Sequence, residues 1–274
     1  VSALGTASSA RITLGLALLL LGSLAVSGAV WLAAPPQFKE TVLTHGRDVL
    51  RAQSGDDSWD PLAHALAHVR SGATTPIYAE VFFKRGIRYQ YPPSALFALA
   101  AMQWVAPERV LTDDQRYTGP RPAINDVVGW FFLLLTAAAT AALLEIGLRR
   151  RGIPRGGPAL FALRLAIVAA LTLSFYPVVK AFTLGQIQTW VNGAFALALL
   201  AWATGHKAAG GVIVGLVCLI KPHYGLLLVW AALRREWRFV YACAAAVAAG
   251  LALSIGVFGW ENHVDYLRVL SFLS

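Results

Sequence analysis

Charged and hydrogen-bonding side chains stand at the breaks between the apolar runs of this chain. Asp56, Asp57 and Asp60 lie beyond the first run, Gly185-Gln186 between two later ones, and Lys221-Pro222-His223 between two short ones. An ionisable residue at membrane depth costs about 2.5–3.5 kcal/mol or more, so its position marks a functional site by default. A carboxylate beside a substrate hydroxyl can act as a general base. An ammonium set between two apolar segments needs an anion, either a lipid phosphate or a buried carboxylate such as that of Asp60. Phosphate is the better match for a recessed lysine open to lipid headgroups. His223 and Tyr224 can add hydrogen bonds to the same anion. The competing role for Lys221 is a structural ion pair.

Structural roles compete at the other positions too. Asp60 precedes Pro61, the arrangement of a helix N-cap, and capping is the stronger reading of that residue by itself. His64 and His68 have the i,i+4 spacing of a zinc-binding pair. No Glu adjoins His64 and no third ligand has recognisable spacing, so a solvated or interfacial helix face is expected instead. Tyr89 and Tyr91, before Pro92-Pro93, suit either sugar stacking or interfacial anchoring. Gln186 can bond a sugar hydroxyl or cap a helix, and Asn192 follows six residues later. Arg164, a few residues into an apolar run, is expected to snorkel to the interface. Cys218 and Cys243 show neither a disulfide framework nor metal spacing and are expected to be small buried hydrophobes. No phosphate-cradling Gly loop, nucleophile elbow or metal-ligand cluster is visible in the sequence, which argues against a nucleotide-fuelled pump.

The elements that must position these residues are membrane helices. The chain has 274 residues, 57% hydrophobic and only 14% charged, where a soluble domain carries about 25% charged. With mean hydropathy +0.60, it reads as an all-α polytopic membrane protein. Candidate spans are Ile12–Ala34, Val127–Leu148, Ala159–Val179, Ile187–Thr204 and Phe239–Phe258. The pieces Ser94–Val105, Ala208–Ile220 and Tyr224–Leu233 are too short to cross alone. The first run is 23 residues long, beyond the roughly 7–15 of a signal-peptide core, and reads as a retained span. A first residue of Val1 and an end just after an apolar patch suggest a piece of a longer chain.

The net charge of +9 is uneven. Residues 35–126 carry ten basic and ten acidic residues, and the excess sits in Arg149–Arg151, Arg155, Arg234, Arg235 and Arg238. These clusters abut apolar runs, so they read as cytoplasmic flanks rather than as a nucleic-acid surface. With them inside, all of 35–126 lies outside. The segments Ala208–Ile220 and Tyr224–Leu233 then form a re-entrant hairpin whose tip, Lys221-Pro222-His223, sits in a recess. On this topology Asp60, Gln186, Lys221, His223 and His263 converge on the outer face.

The ordered series of an early loop Asp, Gly72, Ile77-Tyr78, Tyr91-Pro92-Pro93, Leu184-Gly185-Gln186, Asn192, Gly210-Gly211, Gly215-Leu216 and Ile220-Lys221-Pro222 resembles glycosyltransferase family 87. This family includes bacterial α-1,2-mannosyltransferases. The likeness runs from about residue 50 to about 270. It implies a single GT-C-like transmembrane domain over 1–274, with an extracytoplasmic loop at 35–126 that contains short interfacial helices. It implies an inverting hexosyltransferase of the cytoplasmic (inner) membrane. Such an enzyme transfers a sugar, mannose first, from a polyprenyl-phosphate donor to a glycolipid or glycan acceptor, with no cofactor or metal and with membrane lipid but no nucleic acid as a partner. By this resemblance the catalytic Asp matches Asp60 best, with Asp57 as the alternative. Lys221, His223 and Tyr224 would meet the donor phosphate, and Gln186, Tyr89, Tyr91, Asn192 and His263 the sugar or acceptor. The chain departs from the family at His64, where a Tyr is common, and at Pro61. Full members also carry further C-terminal helices. A transporter or flippase is the rival reading. It predicts inverted repeats, and no convincing internal symmetry is visible.

Overall fold

A computed structural model describes residues 3–35, 40–52, 54–105 and 123–273. Residues 36–39, 53 and 106–122 of the expected outer loop lie outside the described residues. Among the described residues every regular element is helical and there is no strand. In a bilayer only such internally bonded backbone, or a closed barrel, is viable. The chain forms two compact units, Val1–Gly55 with Gly129–Gly205 and Asp56–Val128 with His206–Ser274.

The first unit contains α1 (Ala3–Ala33), α2 (Val42–Leu50), most of α5 (Ala123–Arg150), α6 (Pro158–Leu173), α7 (Tyr176–Thr183) and α8 (Gln188–Ala203). Helix α1 leaves Leu14, Leu18, Leu19 and Leu21 exposed, as expected of a helix whose solvent is lipid. A core of Val49, Leu133, Val178, Val179 and Phe182, with Trp130 and Leu173 against it, joins α2, α5 and α7.

Two spans differ from expectation. The expected Ala159–Val179 helix is broken, and α6 and α7 meet at a bend of 58°. The cause is Pro177, in the first turn of α7. A proline has no N–H, and its ring would collide with the carbonyl four residues back in a continuous helix. Helix α8 has 16 residues, a rise of about 24 Å, short of a ~30 Å hydrocarbon core. Three helices among the described residues are long and apolar enough to cross a membrane, namely Ala7–Ala33, Asn125–Arg150 and Trp237–Phe258, with a fourth if the bent pair is a single span.

Arg164 does not snorkel. Its side chain is fully buried, with Nε and Nη2 donating to the two Glu145 carboxylate oxygens at 2.5 and 3.0 Å. Nη1 donates to Ser9 Oγ at 2.6 Å, and Nη2 also reaches the Arg155 carbonyl at 3.1 Å. A paired, fully hydrogen-bonded guanidinium has no need to reach water. Glu145, inside the expected span, was the sequence signal of this pairing.

The second unit contains α3 (Trp59–Arg70), a π-helical turn (Tyr78–Lys84), a 3-10 turn (Pro93–Ala95), α4 (Leu96–Val105), α9 (Lys207–Cys218), a second 3-10 turn (Pro222–Gly225), α10 (Leu226–Leu233), α11 (Trp237–Phe258) and α12 (Trp260–Leu273). Helices α9 and α10 are the expected short hairpin. Lys207 Nζ and Glu236, 2.5 Å apart, tie the base of α9 to the start of α11. Helix α9 packs on α11 through glycines. A Cβ on Gly215 would lie 2.7 Å from Ala246 Cβ and 2.8 Å from the Cys243 carbonyl. Such close approach is what small residues supply between membrane helices. Cys218 and Cys243 are free and buried in these two helices, as expected.

Candidate functional site

The second unit holds a polar pocket of about 340 Å³, lined by Asp57, Arg88, Gln90, Tyr91, Ile220, Lys221, Pro222, His223 and Tyr266. Four segments line it, one of them α12 through Tyr266 alone. Lys221 stands at the break in the short hairpin, with an extended backbone of φ −134 and ψ 92 before Pro222. Proline disfavours a helical residue ahead of it, so the sequence Lys-Pro itself opens the break. The Ser94 hydroxyl donates to the Leu219 carbonyl at 2.5 Å. This bond occupies one of the carbonyls that a helix end leaves free and fastens the hairpin tip to the Pro92-Pro93 turn.

The second segment is 86–91. Tyr89 is fully buried and stacks on Tyr78 with ring centroids 5.3 Å apart, while Arg88 and Gln90 on either side are exposed. The Tyr89 hydroxyl donates to the Pro92 carbonyl at 3.0 Å and that of Tyr78 to the Tyr91 carbonyl at 2.6 Å. Burial pushes both phenols well above their ordinary range. Tyr89 is therefore part of the scaffold and offers no face to a sugar. Tyr91 does reach the pocket, with its hydroxyl 2.7 Å from Ser58 Oγ. Burial raises the Tyr91 phenol, the Ser58 bond opposes that rise, and the charge of Asp57 adds to it.

The third segment is the approach to α3. Gly55, in the first unit, donates its amide to the Thr183 carbonyl at 2.5 Å, and a Cβ there would lie 2.6 Å from the Leu184 carbonyl. Only glycine tolerates this approach. Asp57 follows two residues later, exposed and lining the pocket. Its carboxylate acts on Lys221: burial lowers the ammonium's pKa, and Asp57 offsets part of that fall.

Asp60 lies elsewhere. The N-cap residue of α3 is Ser58, and Asp60 sits in the first turn, so the capping expectation fails. Pro61 fits there because the first-turn amides have no helical partner to lose. The Asp60 carboxylate faces buried His64 at 3.6 Å. Arg85 Nη2 lies 3.1 Å from His64 Nδ1. Arginine only donates, so Nδ1 accepts and Nε2–H points toward Asp60. Burial lowers the His64 pKa, with Asp60 opposing and Arg85 assisting. His64 is thus a buried bridge and not a solvated helix face. His68 turns away, its Nε2 2.7 Å from the Thr75 carbonyl.

The remaining expected site residues divide as follows. His223 lines the pocket and packs on the Tyr224 ring at 4.8 Å, while Tyr224 is not among the lining residues. His263 has both ring nitrogens engaged, with the Gly259 carbonyl at 2.8 Å and Ser254 Oγ at 2.9 Å. It braces the junction of α11 and α12 and lines no part of the pocket. Gln186 and Asn192 belong to the first unit. Gln186 follows Gly185, whose φ of 68 makes the turn, and Asn192 Oδ1 accepts from Gln188 Nε2 at 2.7 Å. Arg88, Gln90 and Tyr266 were missed in the sequence. The first two alternate with a buried tyrosine, a period-2 signal of an extended segment with one face open.

Lys221 and Arg88 outnumber the single carboxylate in the pocket, so the site favours an anion. Among the described residues no three His, Cys, Asp or Glu side chains come together as a metal-binding group.

A family model described as glycosyltransferase family 87 matches residues 89–274. Comparison with curated proteins and with solved structures finds no match.

Proposed function

This chain belongs to glycosyltransferase family 87 and is a membrane glycosyltransferase, and from that premise we propose that it transfers a sugar, mannose first, from a polyprenyl-phosphate donor to a glycolipid or glycan acceptor. In this reading the fold is of the GT-C type and the protein is multi-pass in the cytoplasmic membrane. The pocket of Asp57 and Lys221 opens on the extracytoplasmic side. Nucleotide sugars are cytosolic, so an outward-facing site calls for a lipid-carried donor.

The acceptor hydroxyl attacks the anomeric carbon and gives its proton to Asp57. The new bond from oxygen to the anomeric carbon forms as the bond from that carbon to the phosphate oxygen breaks, with inversion. The departing lipid phosphate takes the bonding electrons, and Lys221, with Arg88 and His223, stabilises the added charge. Tyr91 and Gln90 orient the sugar. Asp57 replaces Asp60 as the preferred base because Asp57 shares the pocket with Lys221 whereas Asp60 is turned to His64.

The observation that carries this reading is the placing of one carboxylate and a half-buried ammonium on the wall of one pocket. Its test is turnover of the full-length protein with polyprenyl-phosphate mannose and a glycolipid acceptor. Asp57→Asn is expected to lose about 10²–10⁴-fold in kcat, while Asp60→Asn keeps most of it. Wild-type turnover in Asp57→Asn, or a greater loss in Asp60→Asn, rejects Asp57 as the base.

A further inference from the structure

The first unit carries a second cavity that the glycosyl-transfer reading does not use. It is a groove of about 670 Å³ between α5, α6 and α8, floored by small side chains that include Ala137, Ala141 and Ala166, with Arg149 and Arg155 at one end. From Ala137 to Arg149 along α5 the rise is about 18 Å, close to one leaflet of a ~30 Å hydrocarbon core. The groove therefore has the length of a lipid tail within one leaflet and ends where a headgroup would begin.

The charge at that end is ordered and positive. Glu145, the one acid in the lining, is held by both Nε and Nη2 of Arg164. It is therefore neutralised in place and does not cancel the arginines. Arg155 is set by the same buried cluster, since its carbonyl accepts from Arg164 Nη2 at 3.1 Å and from Ser9 Oγ at 3.3 Å. Gly156, with φ +77, turns the chain there. The Arg155 guanidinium lies 4.9 Å over the ring of Phe161, in the first turn of α6. Arg149 is exposed at the end of α5. Basic pockets between membrane helices bind anionic lipid headgroups.

We infer that this groove binds an anionic phospholipid of the surrounding membrane, its phosphate between Arg149 and Arg155 and one acyl chain along the alanines. The groove shares no lining residue with the Asp57 pocket, and the inference is independent of which sugar or acceptor the enzyme uses.

The experiment is native mass spectrometry of the full-length protein titrated in parallel with phosphatidylglycerol and phosphatidylcholine of identical acyl chains. A basic residue near the headgroup is worth about five-fold, so two give a preference of about 25-fold for phosphatidylglycerol. The double variant Arg149→Gln/Arg155→Gln is expected to bind both lipids alike. Arg149→Lys/Arg155→Lys keeps most of the preference. Ala141→Leu/Ala166→Leu, which fills the groove, lowers retention of both lipids. Arg234→Gln/Arg238→Gln removes the same charge from the other unit and leaves the preference intact. The inference is overturned by a wild-type preference below five-fold. A preference that survives Arg149→Gln/Arg155→Gln, or that falls equally in Arg234→Gln/Arg238→Gln, overturns it too. Displacement of phosphatidylglycerol by equimolar polyprenyl phosphate assigns the groove to the donor lipid and overturns it as well.

Discussion

Replacing Arg164 by Met should destabilise the first unit more than any single surface change. The side chain is completely buried and makes hydrogen bonds to both Glu145 oxygens, to Ser9 Oγ and to the Arg155 carbonyl. Its removal leaves the Glu145 carboxylate, itself only 4% exposed, without a counter-charge. Breaking one side of such a pair costs about 3–5 kcal/mol, whereas replacing both partners by apolar groups of similar volume is often neutral or better. At about 2–4 °C per kcal/mol for a chain of this size, Arg164→Met should melt roughly 6–20 °C lower. The double variant Glu145→Leu/Arg164→Met should recover most of that loss. Ser9→Ala removes one neutral acceptor and should cost about 1 kcal/mol. The assay is thermal unfolding of the purified full-length protein in detergent, arranged as a double-mutant cycle. Losses that simply add, with the double variant as unstable as both singles combined, would refute a buried pair. A melting point unchanged in Arg164→Met would show that the guanidinium reaches the interface after all.

Gly215→Val forces side-chain carbons into Ala246 and the Cys243 carbonyl, whose present distances to a Cβ there are 2.7 and 2.8 Å. It should cost about 1–3 kcal/mol in the same unfolding assay, with Gly215→Ala milder. His64 should make stability depend on pH. Its folded pKa lies below the ordinary 6.5 because of burial, so the unfolded chain binds the proton first. The contribution is complete above about pH 6.5 and is lost as pH falls toward the folded value. The drop in melting temperature between pH 8 and pH 5.5 should shrink in His64→Gln. Lys221→Met should lower kcat/KM by about 10²–10³, with partial return in Lys221→Arg. Unchanged kinetics in Lys221→Met would remove the ammonium from the reaction.

Much of this architecture is written in local patterns. The long apolar runs predict α5, α11 and the end of α1 to within a few residues, because a spanning helix needs only length and the absence of charge, while α1 starts at Ala3, nine residues before the expected Ile12. Lys221-Pro222 predicts the hairpin break, because proline acts on its immediate neighbour. What escaped was set by partners distant in sequence. Arg164 reads as a snorkelling residue until Glu145, 19 positions earlier, is seen to face it. Pro177 was legible as a breaker but was overridden by the apolarity of its surroundings. In the candidate site Lys221, His223, Tyr91 and the alternative acid Asp57 line the pocket. Asp60 and Asp57 are three residues apart, and composition gives no ground for choosing between them. The structure distinguishes them by neighbours that composition does not show: the Asp60 carboxylate faces His64, which Arg85 holds through its other ring nitrogen, while Asp57 lines the pocket. Tyr89 and His263 have the chemistry of sugar contacts, but their polar atoms are spent on the protein's own backbone and on Ser254.

The proposed roles of Asp57 and Lys221 in one pocket are tested most directly by an experimental structure of the full-length enzyme bound to a polyprenyl-phosphate sugar. The donor phosphate should lie about 3 Å from Lys221 Nζ, with the anomeric carbon open to attack from the Asp57 side. A phosphate bound away from Lys221, or an anomeric carbon facing Asp60 with Asp57 turned out to solvent, would contradict the account.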